Sequence, residues 1–247
     1  MRRSIIKYIG EFPLTKSALL FKQAKAYSVH FFTASGAVWG FFAIQAIIAG
    51  QFKAAILWMV LAMLVDGFDG MLARLVDVKK YAPNVDGALM DNIIDYLNYV
   101  IVPGFFLVYA DIVPAVTVTP IIALILLTSA YQFSQSDAKT DESNQYFFKG
   151  FPCYWNVVVI YMIILGWNGW INFAILFFFN VLIFVPVKWI YPSRETRYRK
   201  ITLGLSYLYG VVGIYGLFLF PATPLWVVYS SFIYVAYYVW LSFMPRK

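Results

Sequence analysis

The chain has 247 residues, of which 62% are hydrophobic and 13% charged, and its mean hydropathy is +0.73. A soluble domain contains about 45–50% apolar and 25% charged residues, so this composition excludes a soluble globular protein. The net charge of +7 accompanies an apolar sequence. It therefore indicates contact with anionic lipid, and no nucleic-acid partner is expected. The single cysteine, Cys153, excludes an intramolecular disulfide.

The first 25 residues interleave six basic side chains with apolar ones and lack the apolar core of a signal peptide. This spacing predicts an amphipathic helix lying on the cytoplasmic face of the membrane, broken near Pro13. A disordered basic tail is the alternative interpretation.

The remaining chain divides into apolar stretches of membrane-spanning length, for which about 20 residues are needed. Eight candidate spans cover residues 26–49, 54–76, 88–110, 114–135, 152–167, 170–189, 201–220 and 225–244, the fifth being short. The sequence thus predicts an all-α, polytopic membrane helix bundle of about eight transmembrane helices. Residues 1–247 are expected to form a single domain, with the bundle at 26–244.

Basic residues determine the orientation of membrane helices, because Lys and Arg are enriched in cytoplasmic loops. With the N-terminus in the cytoplasm, every Lys and Arg except Lys53 falls on the cytoplasmic side. Both termini are therefore predicted to be cytoplasmic.

Four aspartates interrupt the apolar pattern where spans two and three approach the cytoplasm. Asp66 and Asp69 are three residues apart, and Asp91 and Asp95 are four apart. Both spacings place two carboxylates on one helix face, and consecutive spans can be antiparallel neighbours. Four carboxylates inside a bilayer cost roughly 10–14 kcal/mol by insertion scales unless cations neutralise them. The pattern predicts two divalent metal ions, Mg²⁺ or Mn²⁺, which prefer oxygen ligands and suit displacement at phosphorus.

The aspartates allow two other interpretations. They could pair with Arg74 and the following lysines as an interfacial loop, or line the pathway of a divalent-cation transporter. Against transport, the sequence shows no acidic relay that continues toward the opposite side of the membrane.

The pattern Asp66-x2-Asp69-Gly70-x2-Ala73-Arg74, followed by Gly87-x3-Asp91-x3-Asp95, resembles the signature of the CDP-alcohol phosphotransferases. These membrane enzymes transfer a phosphate-bearing group from a CDP-linked donor to an alcohol and release CMP. The resemblance implies that Asp66, Asp69 and Asp91 bind the metals. It also implies that Asp95 is the catalytic base and an additional metal ligand.

The resemblance further implies a donor site formed by Gly70, Ala73, Arg74 and Gly87. Lys139 and Thr140 resemble a phosphate-contacting element of the family, with an ordinary cytoplasmic lysine as the alternative. His30, the only histidine, lies near this end of span one and is interpreted as a helix-packing residue rather than a catalytic one.

Two features depart from the commonest family pattern. Twelve residues separate Arg74 from Gly87, where most members have fewer, and the expected number of spans is larger than usual. Both resemble bacterial members that use choline, as do segments 29–36, 137–140 and 150–156. The resemblance implies CDP-diacylglycerol and choline as substrates, CMP as a product, and a bacterial inner-membrane location. Serine, inositol or glycerol phosphate remain alternative acceptors, and a homodimer is a possible assembly.

Choline is a quaternary ammonium, so its recognition requires aromatic faces. Candidates near the cytoplasmic ends of the spans are Tyr96, Tyr131, Tyr146, Tyr154 and Trp155. Aromatic residues also gather at membrane interfaces without binding any ligand, which is the alternative for each of them.

Overall fold

The computed structural model describes residues 15–135, 139–142, 145–190, 192 and 198–244. Within these ranges the helices are α1 (Lys16–Ile48), α2 (Phe52–Leu75), α3 (Val78–Tyr81), α4 (Gly87–Tyr96), a π-helical turn (Leu97–Ile101), α5 (Val102–Tyr109), α6 (Ala115–Ser134), α7 (Trp155–Leu165), α8 (Gly169–Phe184), α9 (Arg199–Phe218) and α10 (Leu225–Phe243). The strands are β1 (Lys139–Glu142), β2 (Gln145–Lys149) and β3 (Lys188–Ile190).

The predicted helical membrane bundle is confirmed at the level of fold class. Six helices are long and apolar enough to cross a membrane: α1, α2, the continuous segment Gly87–Tyr109, α6, α9 and α10. The fifth and sixth predicted spans correspond to α7 and α8, which are apolar but have only 11 and 16 residues.

The first membrane helix begins earlier than predicted. Because α1 starts at Lys16, residues 16–25 form its first turns and are not a separate surface helix. Residues 1–14 of the predicted interfacial helix lie outside the described part of the chain.

A small antiparallel sheet, ordered β1-β2-β3, was not predicted, so the purely helical description was wrong in this detail. Phe148 of β2 pairs with Lys139 of β1 on one side and with Trp189 of β3 on the other. The aromatic residues of β2 and β3 favour strands. The sheet takes Lys188 and Trp189 away from the sixth predicted span, and β1 and β2 form part of the connection between α6 and α7.

The bundle centre combines large apolar side chains with a few paired polar ones. Trp155, Phe106 and Ile47 are fully buried there. The Trp155 indole N–H donates to Ser129 Oγ at 2.8 Å, and the Thr128 hydroxyl donates to Asn180 Oδ1 at 2.7 Å. In hydrocarbon such polar groups need internal partners, so these bonds fix α6 against α7 and α8.

The twelve-residue spacer between Arg74 and Gly87 folds back onto α1. Its short helix α3 packs with Ala82 against Ala26, and the Lys22 ammonium donates to the Tyr81 hydroxyl at 2.9 Å. Asp86 then caps α4 by accepting two backbone N–H bonds from its first turn, at 3.1 and 3.0 Å. The spacer therefore sets where α4 begins, and with it the positions of Asp91 and Asp95.

Candidate active site

Three carboxylates from two helices meet inside the bundle. Asp66 comes from the second half of α2, and Asp91 and Asp95 lie one turn apart on α4. One oxygen from each lies within 4.8 Å of the other two, and all three residues are partly buried. The structure thus brings together the aspartates of the two sequence motifs.

Asp69, the fourth predicted ligand, lies beside this group rather than within it. It is 7% exposed, and the side chain of Thr33 on α1 lies beside its carboxylate. It is also close enough to Asp66 and Asp91 for electrostatic repulsion. Residues three apart on a helix point in directions that differ by about 60°. The Asp69 side chain is therefore turned from that of Asp66 toward α1.

A tyrosine that was not among the predicted site residues orients Asp66. The buried Tyr99 donates its phenolic O–H to Asp66 Oδ2 at 2.7 Å. Tyr99 belongs to the π-helical turn that follows α4. The preceding residue, Asn98, donates instead to the backbone carbonyl of Gly36 on α1 at 3.1 Å. The wide turn therefore directs consecutive polar side chains to two different helices, and π-turns are frequent at functional sites.

Close packing of α1 against the α4 segment depends on two glycines. A Cβ atom on Gly36 would lie 2.8 Å from Ile94 Cγ2, and one on Gly40 would overlap the Asn98 amide oxygen. Without side chains at these positions α1 can approach closely. The same approach places Thr33, one turn before Gly36, against Asp69.

Motif glycines Gly87 and Gly70 each allow another side chain to lie against the backbone. A Cβ atom on Gly87 would be 3.0 Å from His30 Cε1, and one on Gly70 would be 3.4 Å from Arg74 Nη1. His30 is buried, and its Nε2 atom has no hydrogen-bond partner among the described residues. Its contact with Gly87 agrees with a helix-packing role.

The other predicted donor-site residues, Ala73, Lys139 and Thr140, have no described contact with the aspartate cluster. Ala73 packs against the small apolar cluster that joins α1 to the spacer. Lys139 and Thr140 form part of β1, opposite Phe148 and Phe147, and their side chains lie outside the described atoms.

The five predicted aromatic residues occupy different environments. The Tyr154 ring lies 6.1 Å from the Tyr99 ring, which places it one side chain away from Asp66. Tyr96 donates its hydroxyl to the Leu126 carbonyl at 2.9 Å. Trp155 is fully buried in the core, whereas Tyr131 is 53% exposed. The Tyr146 side chain lies outside the described atoms.

The donor set fits a divalent cation. Mg²⁺ and Mn²⁺ prefer oxygen ligands, and three carboxylate oxygens converge here with a fourth carboxylate adjacent. The Tyr99 hydroxyl provides the kind of outer hydrogen bond that commonly orients a ligating carboxylate, and the Thr33 side chain lies beside Asp69.

A helical membrane bundle with three convergent carboxylates has the architecture expected of a metal-dependent membrane enzyme. The sequence model of the CDP-alcohol phosphatidyltransferase family matches residues 29–189, and the chain belongs to that family. The family depends on divalent metals.

Relatives cover most of the chain. A phosphatidylcholine synthase of Legionella pneumophila is 49% identical over 226 residues, which are 88% of this chain and 87% of that protein. The enzyme of the same name from Borreliella burgdorferi is 37% identical over 78% of this chain and 81% of its own length. That of Pseudomonas aeruginosa is 32% identical over 80% and 82%, respectively.

Proposed function

We propose that this protein transfers the phosphatidyl group of CDP-diacylglycerol to choline, giving phosphatidylcholine and CMP. The transfer chemistry rests on the three convergent carboxylates in a chain of this family. The choice of choline rests on 49% identity to a phosphatidylcholine synthase over 88% of the chain.

Asp66, Asp69, Asp91 and Asp95 would hold two divalent metal ions, Mn²⁺ or Mg²⁺. When bound, such a pair stabilises charge on the attacking and leaving oxygens of an in-line displacement at phosphorus. Tyr99 keeps the Asp66 carboxylate oriented from outside the cluster, and Thr33 packs beside Asp69. Preorganisation of this kind means that less reorientation is needed at the moment of reaction.

Asp95 accepts the proton of the choline hydroxyl as its oxygen attacks the phosphatidyl phosphorus. The bond from that phosphorus to the bridging oxygen breaks, and CMP leaves with the bonding electron pair. Arg74, beside Gly70, binds donor phosphate oxygens, since a guanidinium can form paired hydrogen bonds with them. Ala73, Gly87, Lys139 and Thr140 complete the proposed donor site.

Choline would be held by aromatic faces, since its quaternary nitrogen has no proton to donate. Of the five predicted residues, Tyr154 has the strongest structural support, because its ring neighbours Tyr99 and Phe148 at 6.1 and 6.3 Å. The faces of these rings attract a cation and do not attract an anionic acceptor such as glycerol phosphate.

The proposal places the enzyme in a bacterial inner membrane with eight crossings and both termini in the cytoplasm. It is supported by the distribution of Lys and Arg and by the apolar character of α7 and α8. A cysteine introduced by Lys247→Cys should react with a membrane-impermeant maleimide in inverted vesicles and not in intact cells. Labelling in intact cells would contradict the proposed orientation.

The decisive assay supplies purified protein with CDP-dioleoylglycerol, Mn²⁺ and one labelled alcohol at a time. Labelled choline should enter the lipid fraction with release of an equal amount of CMP, whereas serine, inositol and glycerol phosphate should not. Asp91→Asn is the matched negative control, since it keeps side-chain size and removes a ligand charge. Incorporation of serine without choline would overturn the acceptor assignment. Absence of CMP release with every acceptor would overturn the proposed transferase activity.

A further inference from the structure

A row of aromatic side chains leads from the aspartate site to the sheet. The ring centroid of Tyr99, which donates to Asp66, lies 6.1 Å from that of Tyr154. The Tyr154 ring is in turn 6.3 Å from the ring of Phe148 on β2. Phe148 is paired in register with Trp189 of β3. Each step of the row therefore joins neighbouring side chains, and the row crosses from the start of α7 to β3.

The row continues onto α10, which lies along the outer edge of β3. The Ile190 backbone N–H of this strand donates to a serine hydroxyl of α10 at 3.2 Å. The Trp189 ring stacks on Tyr238, with centroids 5.8 Å and planes 3° apart, and meets Phe243 edge to face at the same distance. Phe243 is 62% exposed, whereas the ring at the other end of the row is buried. The aromatic row, from Tyr99 to Phe243, therefore connects the surface of the protein to the aspartate site.

Stability alone does not explain the types of two of these rings. The Trp189 Nε1 atom and the Tyr238 hydroxyl oxygen are buried without a hydrogen-bond partner among the described residues. A buried polar atom without a partner costs free energy, and phenylalanine at either position would avoid this cost. The faces of tryptophan and tyrosine, however, bind cations well. The ring types at these two positions therefore suit cation binding better than they suit packing.

The strand pairing separates the aromatic row from two nearby lysines. Successive residues of a strand point to opposite faces of a sheet. Phe148 and Trp189 therefore share one face, and the paired Lys149 and Lys188 share the other. Lys139 is the partner of Phe148 on β1, on the side away from Trp189. A cation that follows the row from α10 to α7 thus passes on the opposite face of the sheet from Lys149 and Lys188.

We propose that the aromatic row is the path along which the quaternary ammonium of choline reaches the aspartate site. The inference rests on the proposed function, because it requires choline to be the acceptor. A trimethylammonium group has no N–H to donate, so ring faces are its natural binding partners, within about 6 Å of the ring centroid. The measured ring separations of 5.8, 6.1 and 6.3 Å let the ammonium contact the next ring as it leaves the previous one. Choline that arrives along the row reaches Tyr154, one side chain away from the tyrosine that orients Asp66.

The test is Trp189→Leu, assayed by choline transfer over a range of choline concentrations. Leucine keeps an apolar side chain and removes the ring face. A cation–π contact at an exposed site corresponds to roughly a two- to fivefold change in affinity. The choline KM should rise by this factor with kcat and the donor KM unchanged, whereas Trp189→Phe, which keeps a ring, should retain most of the wild-type affinity. A higher donor KM or a lower kcat in Trp189→Leu would indicate a structural role and overturn the inference.

Trp240→Leu is the matched control. Trp240 lies on α10 at the same end of the bundle, is 54% exposed, and contacts Tyr237 rather than the aromatic row. The same substitution there should keep the wild-type choline KM. A second control is 3,3-dimethylbutan-1-ol, which has the shape of choline without its charge, and its inhibition constant should be equal for the wild type and Trp189→Leu. Parallel weakening of choline and the neutral analogue would show recognition of shape and overturn the inference.

A second measurement uses the unmodified protein, so that it does not depend on the folding of a variant. A choline analogue with one N-methyl group replaced by a diazirine-bearing alkyl chain should crosslink to residues 145–149, 188–190 or 238–243, and excess choline should suppress this labelling. An equal choline KM in Trp189→Leu and Trp240→Leu, or choline-sensitive crosslinks only elsewhere, would overturn the inference while choline transfer persists. Failure of the unmodified protein to transfer choline would instead count against the proposed function.

Discussion

The hydrogen bond from Tyr99 to Asp66 allows a sharp test of the metal site. Tyr99→Phe removes one oxygen atom and keeps the ring, so packing against Tyr154 is retained. The Asp66 carboxylate loses a 2.7 Å donor that fixes its rotation. We expect weaker metal binding, because a ligand that must be reoriented loses conformational freedom when the metal binds.

The expected size follows from the type of hydrogen bond. Bonds to charged groups contribute about 1.5–3 kcal/mol, which corresponds to roughly a 10- to 150-fold change in affinity. Loss of an outer hydrogen bond at metal sites typically weakens metal affinity or activity by about 10- to 100-fold. The Mn²⁺ concentration for half-maximal choline transfer should therefore rise at least tenfold in Tyr99→Phe, with much of the activity recovered at saturating Mn²⁺.

Tyr96→Phe is the matched control, because Tyr96 lies three residues earlier and donates to the Leu126 backbone carbonyl instead of a carboxylate. It should lose a little stability and keep the wild-type Mn²⁺ dependence. Superimposable Mn²⁺ titrations of Tyr99→Phe and the wild type would refute the orienting role of Tyr99. A large loss of maximal rate that saturating Mn²⁺ does not restore would show a role in catalysis beyond metal binding.

Four further predictions use other parts of the structure. Excess EDTA should abolish CMP release and added Mn²⁺ should restore it; full turnover in EDTA would contradict metal dependence. Asp95→Asn should abolish choline transfer and leave CDP-diacylglycerol binding measurable by calorimetry, whereas near-normal turnover would exclude it as the base. Tyr154→Ala should raise the choline KM by up to about 30-fold, from a cation–π contribution of about 2 kcal/mol, without changing the donor KM. Tyr131→Ala is the control, because this side chain is exposed, and it should change neither KM. An unchanged choline KM in Tyr154→Ala would remove Tyr154 from the acceptor site. Gly40→Ala should lower the unfolding temperature in detergent, because overpacking costs about 1–3 kcal/mol, whereas Gly204→Ala should not.

The convergence of the carboxylates could be predicted because it needs only local rules. Helical spacing puts Asp91 and Asp95 on one face, and consecutive spans such as α2 and the α4 segment can be antiparallel neighbours. The same rules place Asp66 beside these two carboxylates. They do not determine which neighbouring helix the Asp69 side chain meets. Asp69 faces α1, and the close approach of α1 depends on Gly36 and Gly40, whose partners are distant in sequence.

Other features could not be read from local patterns. Tyr99 is one of 19 tyrosines, and its contact with Asp66 depends on a π-helical turn that the apolar sequence does not mark. Trp155 and Tyr154 are both aromatic residues near the end of a predicted span, so the sequence does not distinguish them. In the structure the Trp155 indole N–H donates to Ser129 in the core. The sheet was missed because residues 139–149 were predicted to lie in the loop between two spans, and residues 188–189 at the end of the sixth span. The pairing of β2 with β3, which is distant in sequence, brings these segments together.

The position of the aspartates within their helices explains why hydroxyl groups are packed around them. Asp66 lies nine residues before the end of α2, or about 13 Å along the helix axis, and all three clustered carboxylates are partly buried. Electrostatic interactions are stronger where the local dielectric is low, so carboxylates in such a position need fixed polar groups beside them. Tyr99 supplies such a group to Asp66 from the π-helical turn, and Thr33 of α1 lies beside Asp69. A metal ion bound at this site would therefore meet an Asp66 carboxylate whose rotation is already restricted, which lowers the reorganisation that binding requires.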